Sequence, residues 1–234
     1  MGLSRRTNLL AAARQGGFAS IDTSLDALAV TPGTGNEPFI HQGNSIEADI
    51  SGFWRWAYSD LVSNATRGVP AEYIVGLALG CVNGRARAEW DACDLRTPQG
   101  HSVEVKSAAY LQTWRQQRLS KIVFHITSTN GWDAASNTVS VVRKRQADVY
   151  VFCLLKHMDK TTVYPLNLDQ WKFYILSTNR LNNIVGKQKT ITLASLLKLS
   201  PLIASFAQLQ DCVEAAANEG SPGGPGAEIP DAPP

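Results

Sequence analysis

Residues 88–109 have the sequence AEWDACDLRTPQGHSVEVKSAA, and this stretch sets the expected fold. Residues 88–95 and 102–109 each suit extended backbone. Residues 97–100 lie between them and place proline and glycine where a tight reversal favours them. We therefore expect a β-hairpin in this part of the chain.

Three side chains with carboxylate or amine groups are expected to lie close together in this hairpin. Side chains alternate along a strand, so Glu104 and Lys106 share one face and Val103 and Val105 point to the other. The turn returns Asp94 to the level of Glu104, and facing residues of paired strands lie about 4.5–5.5 Å apart at Cα. The pattern thus predicts two carboxylates and one amine in close proximity.

Two carboxylates at that separation repel each other, and a hard divalent cation is the usual compensation. Mg²⁺ typically binds through one or two carboxylates together with water and a substrate phosphate. Beside such an ion Lys106 would orient an attacking water or offset charge on the phosphate. The sequence therefore predicts a Mg²⁺ site, with Mn²⁺ as the alternative ion.

These residues resemble the restriction-endonuclease-like superfamily, known as the PD-(D/E)XK nucleases. The resemblance covers roughly residues 53–155, the size of that family's catalytic core. It includes Cys93-Asp94-Leu95, the turn at 98–100, Glu104-Val105-Lys106, and a preceding helix that bears Glu72. It implies an α/β fold with a mixed central β-sheet flanked by helices.

The resemblance also implies a role for each matching position. Asp94 and Glu104 would be metal ligands, Lys106 would position or activate the attacking water, and Glu72 would complete the metal site. Gln112 matches a polar residue that some members use near the site, which makes it a possible additional site residue.

The match departs from the family at one position, and several roles have alternatives. Cys93 stands where the family has proline, and Asp91 competes with Asp94 as the first metal ligand or is structural. Glu104 and Lys106 also suit an exposed charge pair on a solvated face. Glu72 also suits the positive end of a helix dipole.

A basic window follows the hairpin in a chain whose net charge is only +2. Between Val105 and Ala147 the only acidic residue is Asp133. Phosphate contacts are predicted for the basic residues Arg115, Arg118, Lys121, Arg143, Lys144 and Arg145. The alternatives are ordinary solvated side chains, or a charged guard at the edge of the apolar strand that follows.

Periodic segments surround the hairpin. Ser51 is placed to cap an aromatic-rich helix. Pro70 is placed as the first residue of a second helix, whose buried stripe would be Ile74, Leu77, Ala78 and Cys81. Further strands are predicted at residues 121–127, 149–155 and 171–176. Two more helices are predicted, one capped by Thr192 and one opened by Ser200-Pro201. This order predicts a mixed sheet covered by helices.

Composition divides the chain into three parts. Residues 1–45 are expected to be a partly ordered N-terminal extension, 46–218 the nuclease-like domain, and 219–234 a disordered tail rich in glycine and proline. The four cysteines are far apart in the sequence, which favours a reducing cytoplasm over a zinc site. The apolar runs are too short to span a membrane, so no membrane partner is expected.

The sequence thus predicts a metal-dependent nuclease, most consistent with an endonuclease that hydrolyses DNA. The alternative is a catalytically inactive module that keeps the fold and binds nucleic acid or a partner protein. Many members of the resembled superfamily act as dimers or with a separate targeting subunit. The aromatic segment at 53–58 suits either kind of contact.

Overall fold

The computed structural model describes residues 28, 30–82, 84, 86–87, 92–133 and 138–219. Its helices are α1 Ile50–Tyr58, α2 Gly68–Ala78, α3 Thr178–Val185, α4 Leu193–Lys198 and α5 Leu209–Asn218. Its strands are β1 Pro38–His41, β2 Asn44–Asp49, β3 Leu95–Arg96, β4 Ser102–Ala109, β5 Val123–His125, β6 Thr129–Asp133, β7 Thr138–Lys144, β8 Val149–Leu155, β9 Trp171–Ser177, β10 Thr190–Thr192 and β11 Leu202–Ala204.

A five-stranded mixed sheet forms the centre of the molecule, in the order β11-β9-β8-β4-β3. β4 and β8 run parallel over seven residues, from the pair Val103–Val149 to the pair Ala109–Leu155. The other neighbours in the sheet are antiparallel. β8 is buried along its whole length, as its continuous apolar sequence predicts.

Helices cover both faces of this sheet. One core joins the sheet to α2 and α5 through residues such as Val75 and Val213. The other joins the opposite face to α3 and α4 through Leu181 and Leu196, and it includes Phe124 of β5. The predicted class, an α/β fold with a mixed sheet flanked by helices, is confirmed.

The hairpin forms, but its first strand is shorter than predicted. β3 comprises only Leu95 and Arg96, which pair with Val103 and Ser102. Asp94 lies in a bend just before β3, and its side chain binds the backbone of β4 directly. The carboxylate therefore takes the place of a further backbone pair. The start of the predicted strand, at residues 88–91, lies outside the described residues.

The helix that carries Glu72 begins earlier than predicted. α2 begins at Gly68, and Pro70 lies within its first turn, where the missing N–H removes no hydrogen bond. Its buried residues are Ala71, Ile74, Val75 and Gly76, whereas Leu77, predicted to be buried, is half-exposed and Cys81 lies beyond the helix end. The Ser51 cap is also wrong, because Asp49 accepts from Gly52 N–H and caps α1.

The segment after Ser200-Pro201 is a strand rather than the predicted helix start. Ser200 has a positive φ of 49°, which interrupts helical geometry. Residues Leu202–Ala204 then pair with β9 as an edge strand, and α5 begins only at Leu209.

A two-stranded ribbon, β6 and β7, was not predicted. Every residue of β7 is exposed, so the segment lacks the alternating buried face that marks a strand in sequence. Each of the four cysteines is a free thiol. Within the described ranges, every helix is too short or too polar to traverse a bilayer. The proposed limits of the N-terminal extension and tail stay predictions.

Candidate active site

Glu104 and Lys106 form an ion pair on one face of β4. Lys106 Nζ lies 2.5 Å from Glu104 Oε1, and the two side chains are 28% and 20% exposed, lysine first. Val103, which precedes the pair, and Val105, which lies between its two residues, are buried in the core on the other face. The predicted alternation is therefore confirmed, and the pair remains accessible to solvent at the sheet surface.

Asp94 is held against the same strand by a backbone hydrogen bond. Its Oδ2 accepts from the Val105 N–H at 2.6 Å. Val105 lies between Glu104 and Lys106 in the sequence, so this bond fixes the Asp94 carboxylate beside the ion pair. The three predicted catalytic side chains are thus brought together by one folded-back segment.

Burial and the charge of Glu104 make ionisation of the Asp94 carboxyl less favourable than in a free aspartate. The pKa of Asp94 is raised, first by burial and then by the negative charge of Glu104. The Val105 hydrogen bond and the cations Lys106 and Arg87 act in the opposite direction. An additional cation at this position would favour the ionised carboxylate.

The donor set fits a hard divalent ion bound by two carboxylates. Asp94 Oδ2 and Glu104 Oε1 already have partners, and each carboxylate keeps a second oxygen as a potential donor. Mg²⁺ commonly needs only one or two carboxylates, with water and phosphate completing its shell. Across the described part of the chain, no group of three or more His, Cys, Asp or Glu side chains gathers in a way that could hold a metal.

Glu72 has a different partner from the predicted one. Its carboxylate pairs with Arg87, with Nε–Oε2 at 2.5 Å and Nη2–Oε1 at 2.9 Å. Both of its oxygens thus face a guanidinium, and Glu72 does not join Asp94 and Glu104 in a three-acid cluster. The structure thus pairs Glu72 with Arg87, and its completion of the metal site stays a prediction. Asp91, the alternative first ligand, lies outside the described residues.

Gln112 is buried inside the loop that follows β4. It is 5% exposed, and its Nε2 donates to Ala109 O and Ser120 Oγ. Gln116 completes the arrangement by accepting from the Gln112 N–H and donating to Tyr110 O. Gln112 therefore orders the loop, which corrects its prediction as an additional site residue.

The basic window divides into exposed and buried members. Arg115, Arg118 and Lys121 are exposed on the loop after β4, and Arg143 and Lys144 are exposed on β7. These five positions remain compatible with phosphate contacts.

Arg145 is different, and its predicted phosphate contact is corrected. It is 5% exposed, and its guanidinium donates to three backbone carbonyls and to one side-chain amide. The acceptors are Ile126 O, Gly186 O, Gln188 O and Asn182 Oδ1. The buried Arg145 side chain thus links the end of the ribbon to the segment after β5 and to the end of α3.

Two residues near the site were missed by the sequence analysis. Arg87 lies in a segment without periodic pattern, and its pairing with Glu72 spans 15 residues. Tyr150 is level with Glu104 in the β4–β8 register and is buried, which raises the pKa of its hydroxyl, as does the charge of Glu104. The only sequence feature that could have indicated Tyr150 is its polar hydroxyl within the apolar run Val149–Leu155.

The chain matches a known protein family. Residues 55–195, more than half of the chain, match the family model described as bacteriophage T4 endonuclease IV. The matched range contains the three converging side chains, the loop after β4 and the ribbon. A search of curated proteins gave no match.

Proposed function

The chain belongs to the bacteriophage T4 endonuclease IV family, and we propose that it is a divalent-metal-dependent endonuclease that hydrolyses phosphodiester bonds in DNA. The observation that carries this proposal is the convergence of Asp94, Glu104 and Lys106 beside the Val105 N–H. The order of helix, hairpin and parallel strand also supports membership of the restriction-endonuclease-like superfamily.

Asp94 and Glu104 are the residues that would hold Mg²⁺ or Mn²⁺. When bound, such an ion supplies Lewis-acid polarisation of the phosphate and neutralises developing charge. The Val105 N–H orients Asp94, so that its second oxygen is presented in a fixed direction. The pKa of Asp94 is raised by burial and then by the negative charge of Glu104, and a bound cation would oppose both effects.

Lys106 is the residue proposed to act on the reacting groups. Hydrolysis forms a bond from a water oxygen to phosphorus, breaks one phosphorus–oxygen ester bond, and passes a proton to the leaving oxygen. The Lys106 ammonium, which Glu104 holds at 2.5 Å, would orient the attacking water and offset negative charge on the phosphate oxygens. Both effects need a cation at a fixed position, which the ion pair with Glu104 supplies.

The loop after β4 is proposed to bind the phosphate backbone of the substrate. It presents Arg115, Arg118 and Lys121 together with the half-exposed Trp114. Lys160 Nζ donates to Trp114 O at 2.5 Å and ties the loop to the segment after β8. Cations that contact phosphates, with an aromatic side chain on which a base can stack, are typical of nucleic-acid-binding surfaces.

α1 is the proposed contact for a second copy or a targeting subunit. None of its residues is buried, and Trp56 is 84% exposed. Phe53 and Tyr58 pack edge to face with centroids 6.3 Å apart and remain partly exposed. A helix with so much exposed aromatic surface suits a protein contact.

Nicking of supercoiled plasmid tests the proposed activity. Wild type, Asp94→Ala, Lys106→Ala and the control Lys198→Ala, at an exposed position on α4, are incubated with Mg²⁺ and with EDTA. We expect Mg²⁺-dependent nicking by wild type and control, with losses of about 100-fold or more in the two site variants. Binding of DNA by all four proteins without cutting in any divalent ion would instead identify an inactive binding module.

A further inference from the structure

A cavity of about 320 Å³ lies between α2 and β3. Its wall is largely apolar and includes Val69, Val82 and Leu95, with the half-exposed Tyr73 at its side. This volume lies at the lower end of the range of about 300–1,000 Å³ that small-molecule sites occupy. An apolar wall with one aromatic ring suits a flat, partly apolar group such as a nucleobase.

The same cavity has a charged corner made by Glu72 and Arg87. Two contacts join their side chains, of which Arg87 is 39% exposed and Glu72 only 14%. A two-point contact of this kind holds the planar guanidinium in one orientation. The partly buried carboxylate thus orients the more exposed arginine, and Arg87 lines the cavity.

Asp94 also lines the cavity, which places it next to the proposed catalytic centre. A strand whose phosphate lies at Asp94, Glu104 and Lys106 would therefore have a neighbouring nucleotide within reach of the cavity. An arginine beside the apolar wall would meet a phosphate of that nucleotide while the base occupies the wall.

We propose that this cavity binds one unstacked nucleotide of the substrate strand, adjacent to the cleaved bond, with Arg87 contacting its phosphate and Glu72 acting as the positioning residue for Arg87. The assignment rests on the proposed nuclease function and adds a nucleotide subsite to it. A base that enters the cavity alone has left its stack.

Binding of free nucleotides tests the cavity without any reaction. Each of the four 2′-deoxynucleoside 5′-monophosphates is titrated in EDTA and followed by NMR. Wild type is compared with Arg87→Ala, Tyr73→Ala and the control Lys198→Ala. We expect binding of at least one monophosphate by wild type and control, weakened by about fivefold or more in both cavity variants. Absence of binding to wild type, or equal binding by all four proteins, would overturn the proposal.

The Mg²⁺ dependence of DNA cleavage separates a positioning role for Glu72 from ligation. We expect Glu72→Gln and Arg87→Ala each to lower the maximal rate by about 10–100-fold, with little change in half-saturating Mg²⁺. The double variant should be no slower than Arg87→Ala alone, because both changes remove the same positioned guanidinium. A Glu72→Gln protein that needs about tenfold more Mg²⁺ and regains the full rate would make Glu72 a ligand and overturn its positioning role.

The two experiments keep the separate hypotheses apart. If wild type cuts no DNA under any divalent ion, the nuclease function fails, whatever the nucleotide titration shows. If wild type cuts DNA but no monophosphate binds in the cavity, the nuclease function stands and the subsite assignment fails.

Discussion

At the scale of single residues, the site depends on an acid held where its charge is unfavourable. Burial and the neighbouring Glu104 raise the pKa of Asp94, although Val105 donates a hydrogen bond to it. A group whose pKa is raised by folding lowers the stability of the folded state as the pH rises above the group's ordinary pKa. Asp94 should therefore destabilise the metal-free protein near neutral pH.

Replacing Asp94 with asparagine tests whether the charged carboxylate destabilises the folded protein. The asparagine side chain keeps an oxygen for the Val105 N–H but carries no charge, so Asp94→Asn should unfold at a higher temperature than wild type at neutral pH in EDTA. The advantage should shrink as the pH falls to about 3, below the ordinary pKa of aspartate, where wild type becomes neutral as well. Thermal unfolding at several pH values measures it, with exposed Asp169→Asn as the control. An equal difference at every pH would contradict the account.

The sequence was sufficient for some site residues and insufficient for others. Glu104 and Lys106 follow from the two-residue period of a strand, and Asp94 follows from the turn that reverses the chain. Arg87 could not be predicted, because it pairs with Glu72 across 15 residues and no periodic pattern links the two positions. In physical terms, regular backbone repeats its geometry, whereas a loop does not.

Arg145 and Arg143 provide a matched pair that separates structure from binding. Arg145→Ala would leave three carbonyls and one amide without their donor, so we expect a loss of more than about 2 kcal/mol in the free energy of unfolding. Arg143 is exposed and its Nε donates to Ser128 O, so Arg143→Ala should change stability by less than about 0.5 kcal/mol. Chemical denaturation measures the free energy of unfolding of both variants. Equal losses would show that the burial of Arg145 does not govern its role.

At the scale of elements, the close approach of α2 to the hairpin shapes the site. A Cβ at Gly76 would lie 2.7 Å from Val82 Cγ2 and 3.3 Å from Leu95 Cδ2. The absence of a side chain therefore allows α2 to pack near β3, where the cavity and Asp94 meet.

Gly76→Ala should destabilise the protein although alanine favours helices. Helix propensity contributes about 1 kcal/mol in favour of alanine, whereas overpacking a tight contact costs about 1–3 kcal/mol. We expect a net loss near 1 kcal/mol and a midpoint lowered by about 2–4 °C. Gly68→Ala, at the start of α2 with no atom within 4 Å of the added carbon, should leave the midpoint unchanged or raise it. A Gly76→Ala protein as stable as Gly68→Ala would contradict the packing argument.

The sequence prediction missed some element limits and also the identity of two segments. The shortening of β3 results from one side chain, Asp94, which takes a backbone bonding position on β4. The exposed ribbon β6–β7 has no buried face for periodicity to detect. The segment after Pro201 is a strand because its pairing with β9, distant in the sequence, outweighs local preferences for a helix.

At the scale of the whole molecule, the fold class followed from the order of strands and helices. The parallel pairing of β4 with β8 did not, because it joins segments more than 40 residues apart and no local pattern encodes its register. That register places Tyr150 beside Glu104.

The exposed basic residues should determine how binding to DNA responds to salt. Each phosphate contact adds about 0.9 to the magnitude of the slope of log K against log salt on duplex DNA, and about 0.7 on single strands. The triple variant Arg115→Ala, Arg118→Ala, Lys121→Ala should therefore reduce that slope by about 2–3. Fluorescence anisotropy at several salt concentrations measures it. An unchanged slope would exclude the loop after β4 from the binding surface.

Asp94 and Glu104 are proposed to hold a divalent ion together, beside Lys106, and this shared ion is the central claim of the proposed function. Mn²⁺ titration followed by electron paramagnetic resonance tests it most directly, on wild type, Glu104→Gln and Glu72→Gln. The account predicts that wild type binds Mn²⁺, that Glu104→Gln weakens binding by about tenfold or more, and that Glu72→Gln changes it little. Mn²⁺ binding by Glu104→Gln as tight as by wild type would contradict the claim.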